Sequence, residues 1–110
     1  MKLLRFAGSA KADLSAFPNR ARIRAGYELF MVQAGREADD WKPMPTVGPG
    51  AAEIRVRDET GAYRVIYVAR FADAIYVLHA FQKKSQKTAR VDLMVAAQRY
   101  RDIKAAIEKD

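Results

Sequence analysis

The sequence has no cysteine. Disulfides, thiolate metal sites and a cysteine nucleophile are therefore excluded. It has one histidine, His79, and no histidine–aspartate cluster, which argues against a zinc site. No metal and no cofactor is implied. No apolar run approaches the length of a bilayer span. The opening "MKLLRFAGSAKADL" has too short an apolar core for a signal peptide: Arg5 interrupts it after two leucines, and Lys11 and Asp13 follow. A soluble, cytoplasmic protein without a membrane role is expected. Repeats, low-complexity tracts and long linkers are also missing, so residues 1–110 are read as one domain. Acidic residues are the minority, 13 against 20 Lys and Arg, giving a formal net charge of +7. Such a balance favours a polyanion as partner, because Lys and Arg attract phosphates and release counterions on binding. An acidic protein or a membrane surface would satisfy the same charge.

What is present is a change of period along the chain. Residues Lys2 to Phe6 fit a short strand. Gly8 and Ser9 end it, and Ser9 suits the N-cap of a short helix through Phe17. Pro18 fits the first turn of a second helix. There Ile23, Tyr27, Phe30, Met31 and Ala34 share one apolar face at spacings of three and four. Gly35 stands where a left-handed C-cap belongs. Gly35 to Gly50 is irregular and holds Trp41, expected to cap the core beneath this loop. Then "AAEIRVRD" alternates, with Ile54 and Val56 on one face and Glu53, Arg55 and Arg57 on the other. "DETGAY" is a hairpin signal around Gly61. "YRVIYVARF" reads as a central strand, "RFADA" as a second turn and "AIYVLHAFQ" as a third strand. From Thr88, a suitable N-cap, the helical period returns through Leu93, Ala96, Ala97, Tyr100, Ile103 and Ile107. The expected fold is α+β: an N-terminal helical hairpin and a C-terminal helix on a small twisted antiparallel sheet. The helices are expected to cover its Ile54/Val56 face.

The opposite face gathers the reactive residue types. Glu53, Arg55 and Arg57 point to it, and Arg64 lies on the neighbouring strand. His79 and Phe81 share a face by alternation, and Lys83 and Lys84 continue that line into the loop of "LHAFQKKSQKT", followed by Lys87. Each has a plain structural alternative. His79 suits a hydrogen-bonded strand position as well as a functional one. The lysines suit a solvated loop, and Phe81 suits the core. Glu53 and Arg55 suit a surface ion pair worth under ~1 kcal/mol. Arg64 is harder to set aside, since an arginine in an apolar strand must find a partner or open water.

RNA cleavage without a metal needs only these residue types. A 2′-hydroxyl attacks the adjacent phosphate, so one group must take its proton and another must protonate the departing 5′-oxygen. Arg and Lys stabilise the charge growing on the phosphorane. Clustered cations lower a lysine pKa, as a base requires. An aromatic such as Phe81 can stack on an unpaired base.

The order "DWKPM", "EIRV", "YRVIYVARF" and above all "AIYVLHAFQKKSQKT" resembles the phage-derived HigB-like toxins of the RelE/ParE superfamily. Asp13, Leu14, Phe17, Pro18, Gln33 and Gly35 extend the likeness over nearly the whole chain. Ala89, where the family often has proline, and the small Gly50-Ala51-Ala52 depart from its pattern without touching the site residues. The resemblance implies a toxin of a type II toxin–antitoxin system that cleaves mRNA on the ribosome. It implies a cognate helix-turn-helix antitoxin as partner, and operator DNA reached only through that antitoxin. Arg64 in "YRV" matches the superfamily's arginine at the scissile phosphate. Lys83 falls near a basic position of relatives, and His79 and Lys84 belong to the family's own motif. On the resemblance and the residues together, Glu53, Arg64, His79, Lys83 and Lys84 are the catalytic candidates. Arg55, Arg57, Phe81 and Lys87 are the RNA-binding candidates. Two alternatives stand beside this reading: a ParE-like gyrase inhibitor, and a non-catalytic nucleic-acid-binding protein of phage origin.

Overall fold

A computed structural model describes residues 1–71 and 74–109. In chain order the elements are β1 (Leu3–Phe6), α1 (Ala10–Ser15), α2 (Asn19–Gln33), β2 (Trp41–Pro43), β3 (Ala51–Asp58), β4 (Gly61–Val68), β5 (Ala74–Lys83) and α3 (Arg90–Glu108). The strands form one five-stranded sheet in the order β1-β5-β4-β3-β2. β3, β4 and β5 make the antiparallel meander that their alternation and the Gly61 turn predict. β1 lies parallel to β5, so the sheet is mixed rather than wholly antiparallel. Within the stretch expected to be irregular, Trp41–Pro43 adds a short edge strand to β3. Trp41 is partly exposed there and does not cap the core. The expected "RFADA" turn falls partly outside the described residues, at 72–73.

The helices do not share one face of the sheet. α1 and α2 cover the side bearing Ile54, Val56, Val65, Tyr67 and Val77. α3 lies on the other side, where Ala96 and Tyr100 pack on Ala51, Ile66, Val68 and Leu78. The reason is that β4 is apolar on both faces, so each needs a cover. The α3 stripe holds as expected through Leu93, Ala96, Tyr100 and Ile103, although Ile107 reaches solvent.

α2 is rotated from the expected setting. It buries Ala21, Ala25, Glu28, Leu29 and Val32, while Ile23, Tyr27 and Phe30 face outward. Both sets have helical spacing, and the inner one begins with two alanines. Small side chains let the helix backbone approach the sheet, whereas larger ones would hold it off. Pro18 occupies the N-cap rather than the first turn. The expected end at Gly35 is confirmed. Its φ is +83°, Arg36 N–H donates to Met31 O at 2.9 Å and Gly35 N–H to Val32 O at 3.0 Å. That is the paired closure of a left-handed C-cap. α3 begins later than expected, with Ala89 at its N-cap, which leaves the Thr88 hydroxyl for another partner.

One irregularity sets the far end of β5. The pairing with β4 shifts between Ile66 and Tyr67, so Tyr67 pairs with Val77 but Ile66 pairs with His79. Leu78 is the extra residue of a bulge. It packs under α3, and His79 follows it onto the same face.

Candidate nucleic-acid interface

Strand register brings the cations together. Arg55, Arg64 and Phe81 lie in one cross-strand row, and Arg57, Ala62 and Lys83 lie in the next. Glu53, Ile66 and His79 form the row behind, with Lys42 opposite Glu53 on β2. All share the face that α3 half covers. The uncovered half is an open cleft of about 640 Å³. Arg55, Arg57, Ala62 and Arg64 line it from β3 and β4, and Lys83, Lys84, Ser85 and Gln86 from the end of β5 and its loop. The convergence expected from alternation is therefore present for Arg55, Arg57, Arg64, Lys83 and Lys84, while His79, Phe81 and Lys87 lie outside the lining.

Arg64 and Glu53 sit at the back of the cleft. Glu53 is fully enclosed and Arg64 is 6% exposed. Arg64 Nε lies 3.4 Å from Glu53 Oε1, and Arg55 Nε lies 3.9 Å from the same oxygen. Asp40 Oδ1 stands 3.9 Å from Arg55 Nη1. The remaining Glu53 oxygen, Oε2, accepts a hydrogen bond from the Thr88 hydroxyl at 3.0 Å. Arg64 Nη1 donates to Tyr63 O at 3.1 Å. Two arginines opposite each other on adjacent strands repel, and the enclosed carboxylate between them offsets that repulsion. Burial lowers the Arg64 pKa, the Glu53 charge opposes this, and Arg55 and Arg57 add to the lowering.

Lys83 meets the cleft at its rim. Partial burial, and then the neighbouring Arg64 guanidinium, hold its ammonium below the ordinary lysine range; Glu53 opposes, while Lys42 and Arg55 reinforce. Lys84 is exposed, and its Nζ donates to Gln82 Oε1 at 3.0 Å. The clustering gives the site a strong positive potential with one lysine easier to deprotonate than usual, the combination suited to a phosphate.

His79 takes a different position. It does not line the cleft; its Nε2 lies 2.7 Å from Asp92 Oδ1 in the first turn of α3. A carboxylate accepts, so the Nε2 proton is the one shared. Nδ1 is buried without a hydrogen-bond partner. The ring stacks on Phe81 with centroids 4.9 Å apart and planes at 22°. Phe81 is half-buried and also leans on the core beneath α3. Lys87 is exposed outside the cleft lining. Sequence reasoning missed Asp92 and Asp40, and read Thr88 as an N-cap rather than as a partner of Glu53. Their roles depend on α3 lying on the cleft face and on the path of residues 35–40. Neither is encoded in a local pattern. Lys42 was legible only as part of a matching motif.

Among the described residues, no group of three or more His, Asp or Glu side chains is placed to hold a metal ion. No described helix is long and apolar enough to cross a membrane.

No curated protein sequence matches the chain significantly. Among solved structures, the chain is similar to a double arginine-to-alanine mutant of the E. coli toxin RelE in its free state. The TM-score is 0.64 at 16% identity, over 93% of this chain and 97% of that one. At that identity the likeness establishes the fold. Residues 12–101 match the family described as "Phage derived protein Gp49-like (DUF891)". That match agrees with the resemblance read from the motifs, and the chain belongs to the Gp49-like family of phage-derived proteins with a RelE-like fold.

Proposed function

We propose that this protein is the toxin of a type II toxin–antitoxin pair, an endoribonuclease that cuts mRNA on the ribosome and stops translation. It acts in the cytoplasm, is neutralised by a helix-turn-helix antitoxin, and touches operator DNA only through that antitoxin. The observation that carries this reading is the cleft: Arg55, Arg57, Arg64, Lys83 and Lys84 surround an opening with a single enclosed carboxylate, Glu53, behind it.

The reaction runs on groups of the chain alone. The 2′-oxygen attacks phosphorus, a new P–O bond closes a cyclic phosphate, and the bond to the 5′-oxygen breaks. Arg64, held from behind by Glu53, carries the charge that grows on the non-bridging oxygens. Lys83, held below its ordinary pKa, is suited to take the 2′-hydroxyl proton. Lys84 stands on the same wall, available to the departing oxygen. Glu53 is enclosed and acts by orienting Arg64, not by meeting RNA. His79 is engaged by Asp92 and acts by setting the plane of Phe81, which is suited to stack on a base.

The test is expression of wild type, Arg64→Ala and Lys83→Ala with antitoxin withheld, while mRNA ends are mapped on translating ribosomes. Wild type should arrest growth and fragment mRNA, and each variant should lose roughly a hundredfold in cleavage rate. Equal toxicity of all three would refute the site. Growth arrest with intact mRNA and damaged DNA would favour gyrase inhibition. Tight RNA binding without toxicity would favour a non-catalytic protein.

A further inference from the structure

Among the described residues, nothing covers the outer face of α2 except Arg24 of the same helix, whose guanidinium lies 5.6 Å from the Tyr27 ring centroid. Ile23, Tyr27 and Phe30 are 57%, 49% and 50% exposed at spacings of four and three, so they form one straight apolar stripe. Gly26 lies beside the stripe at mid-helix. It is exposed, and a side chain placed there would meet nothing within 4 Å. Glycine weakens a helix relative to alanine, and nothing among the described residues requires it at that position. It does allow another backbone to come close. The exposed charges that α2 itself places around the stripe are positive, and Asp39 and Glu59 from other segments stand beside two of them. Every exposed ionised side chain on α2 is an arginine (Arg20, Arg22 and Arg24), and the helix's single acid, Glu28, is buried. The Arg22 guanidinium donates to Asn19 Oδ1 at 2.6 Å and has no ion-pair partner among the described residues.

We propose that this face docks an amphipathic helix from a protein partner, with apolar residues on the stripe and Asp or Glu along its edges. A second copy of the chain is disfavoured, because each copy carries +7 and presents the same arginines. RNA is disfavoured because Arg20 and Arg24 already face Glu59 and Asp39, which leaves a phosphate backbone only Arg22, whereas an amphipathic helix would bind chiefly through the apolar stripe. α2 packs on the sheet face opposite the cationic cleft. A partner seated here leaves the cleft open. Identifying that partner as the neutralising antitoxin rests on the toxin reading above; the contact itself does not.

The probe is a fluorescent synthetic helix with leucines on one face and glutamates flanking them, titrated into the full chain and read by anisotropy. A second helix carries lysines in place of the glutamates. The glutamate helix should bind and the lysine helix should bind at least about tenfold more weakly. Ile23→Ser/Tyr27→Ser/Phe30→Ser and, separately, Gly26→Gln should each weaken binding about tenfold or more. Gly26→Gln should fold at least as well as wild type. Arg64→Ala/Lys83→Ala should bind the helix unchanged. Equal binding to the stripe variants, no binding of the glutamate helix, stripe-dependent dimers in sedimentation, or stripe-dependent binding of a single-stranded RNA would each overturn the proposal. If mRNA cleavage fails while stripe-dependent binding persists, only the toxin reading falls.

Discussion

Among the described residues two glutamates are buried, one on each side of the sheet, and each sits beside an arginine. Glu28 on α2 lies 3.3 Å from Arg24 Nε, and Arg24 is about half exposed at 51%. Its Oε2 accepts the Asp39 backbone N–H at 2.5 Å, so it fastens the segment leading to β2. Glu53 on β3 is enclosed, and its nearest cation, Arg64, is buried with it. The residue types are the same and the consequences differ. Arg24 has water to return to if its partner is lost, whereas Arg64 has very little. A buried carboxylate beside an exposed arginine is a structural fastening. One beside a buried arginine sets the field of whatever lies in front of it.

Removing each glutamate tests that contrast most directly. Glu53→Ala strands a buried guanidinium and should cost about 3–5 kcal/mol in urea unfolding. Glu28→Ala loses chiefly a hydrogen-bond acceptor and should cost about 1–3 kcal/mol. Equal losses would break the comparison. Thr88→Val comes next, because it removes one neutral donor from Glu53 and should cost about 1 kcal/mol. Thr88→Ser should restore it. The smallest effect is on pH dependence. Lys83 is held below the ordinary lysine pKa, so its neutral form appears at lower pH than in free lysine. If it is the base, the cleavage rate should rise with pH and level off early. Lys83→Ala should flatten that rise, and a rise surviving unchanged would assign the base elsewhere.

The site was more legible than the packing. Alternation within β3, β4 and β5 is local, and it placed Arg55, Arg64, Phe81 and Lys83 on one face correctly. What failed required knowing which stripe a helix turns inward. On α2 the bulky set Ile23, Tyr27 and Phe30 outweighs Ala21 and Ala25 by composition, yet the alanines fit the close approach to the sheet. The side taken by α3 was likewise not local. With it went the pairing of His79 with Asp92 and of Thr88 with Glu53, over 13 and 35 residues of sequence. Glu53 and His79 were thus legible as residues of that face but not in the positions they hold.

The bulge at Leu78 makes β5 behave as two rulers joined end to end. The first half keeps time with β1, through Ala74 to Val77, and belongs to the interior. The second half keeps its own register with β4 from His79 to Lys83 and carries Lys83 to the cleft. A change of spacing at the joint therefore resets which side chains reach the cleft without disturbing the parallel pairing at the other end. In this fold, a residue added or removed at that joint would move the cleft end of β5 while the β1 end keeps its register.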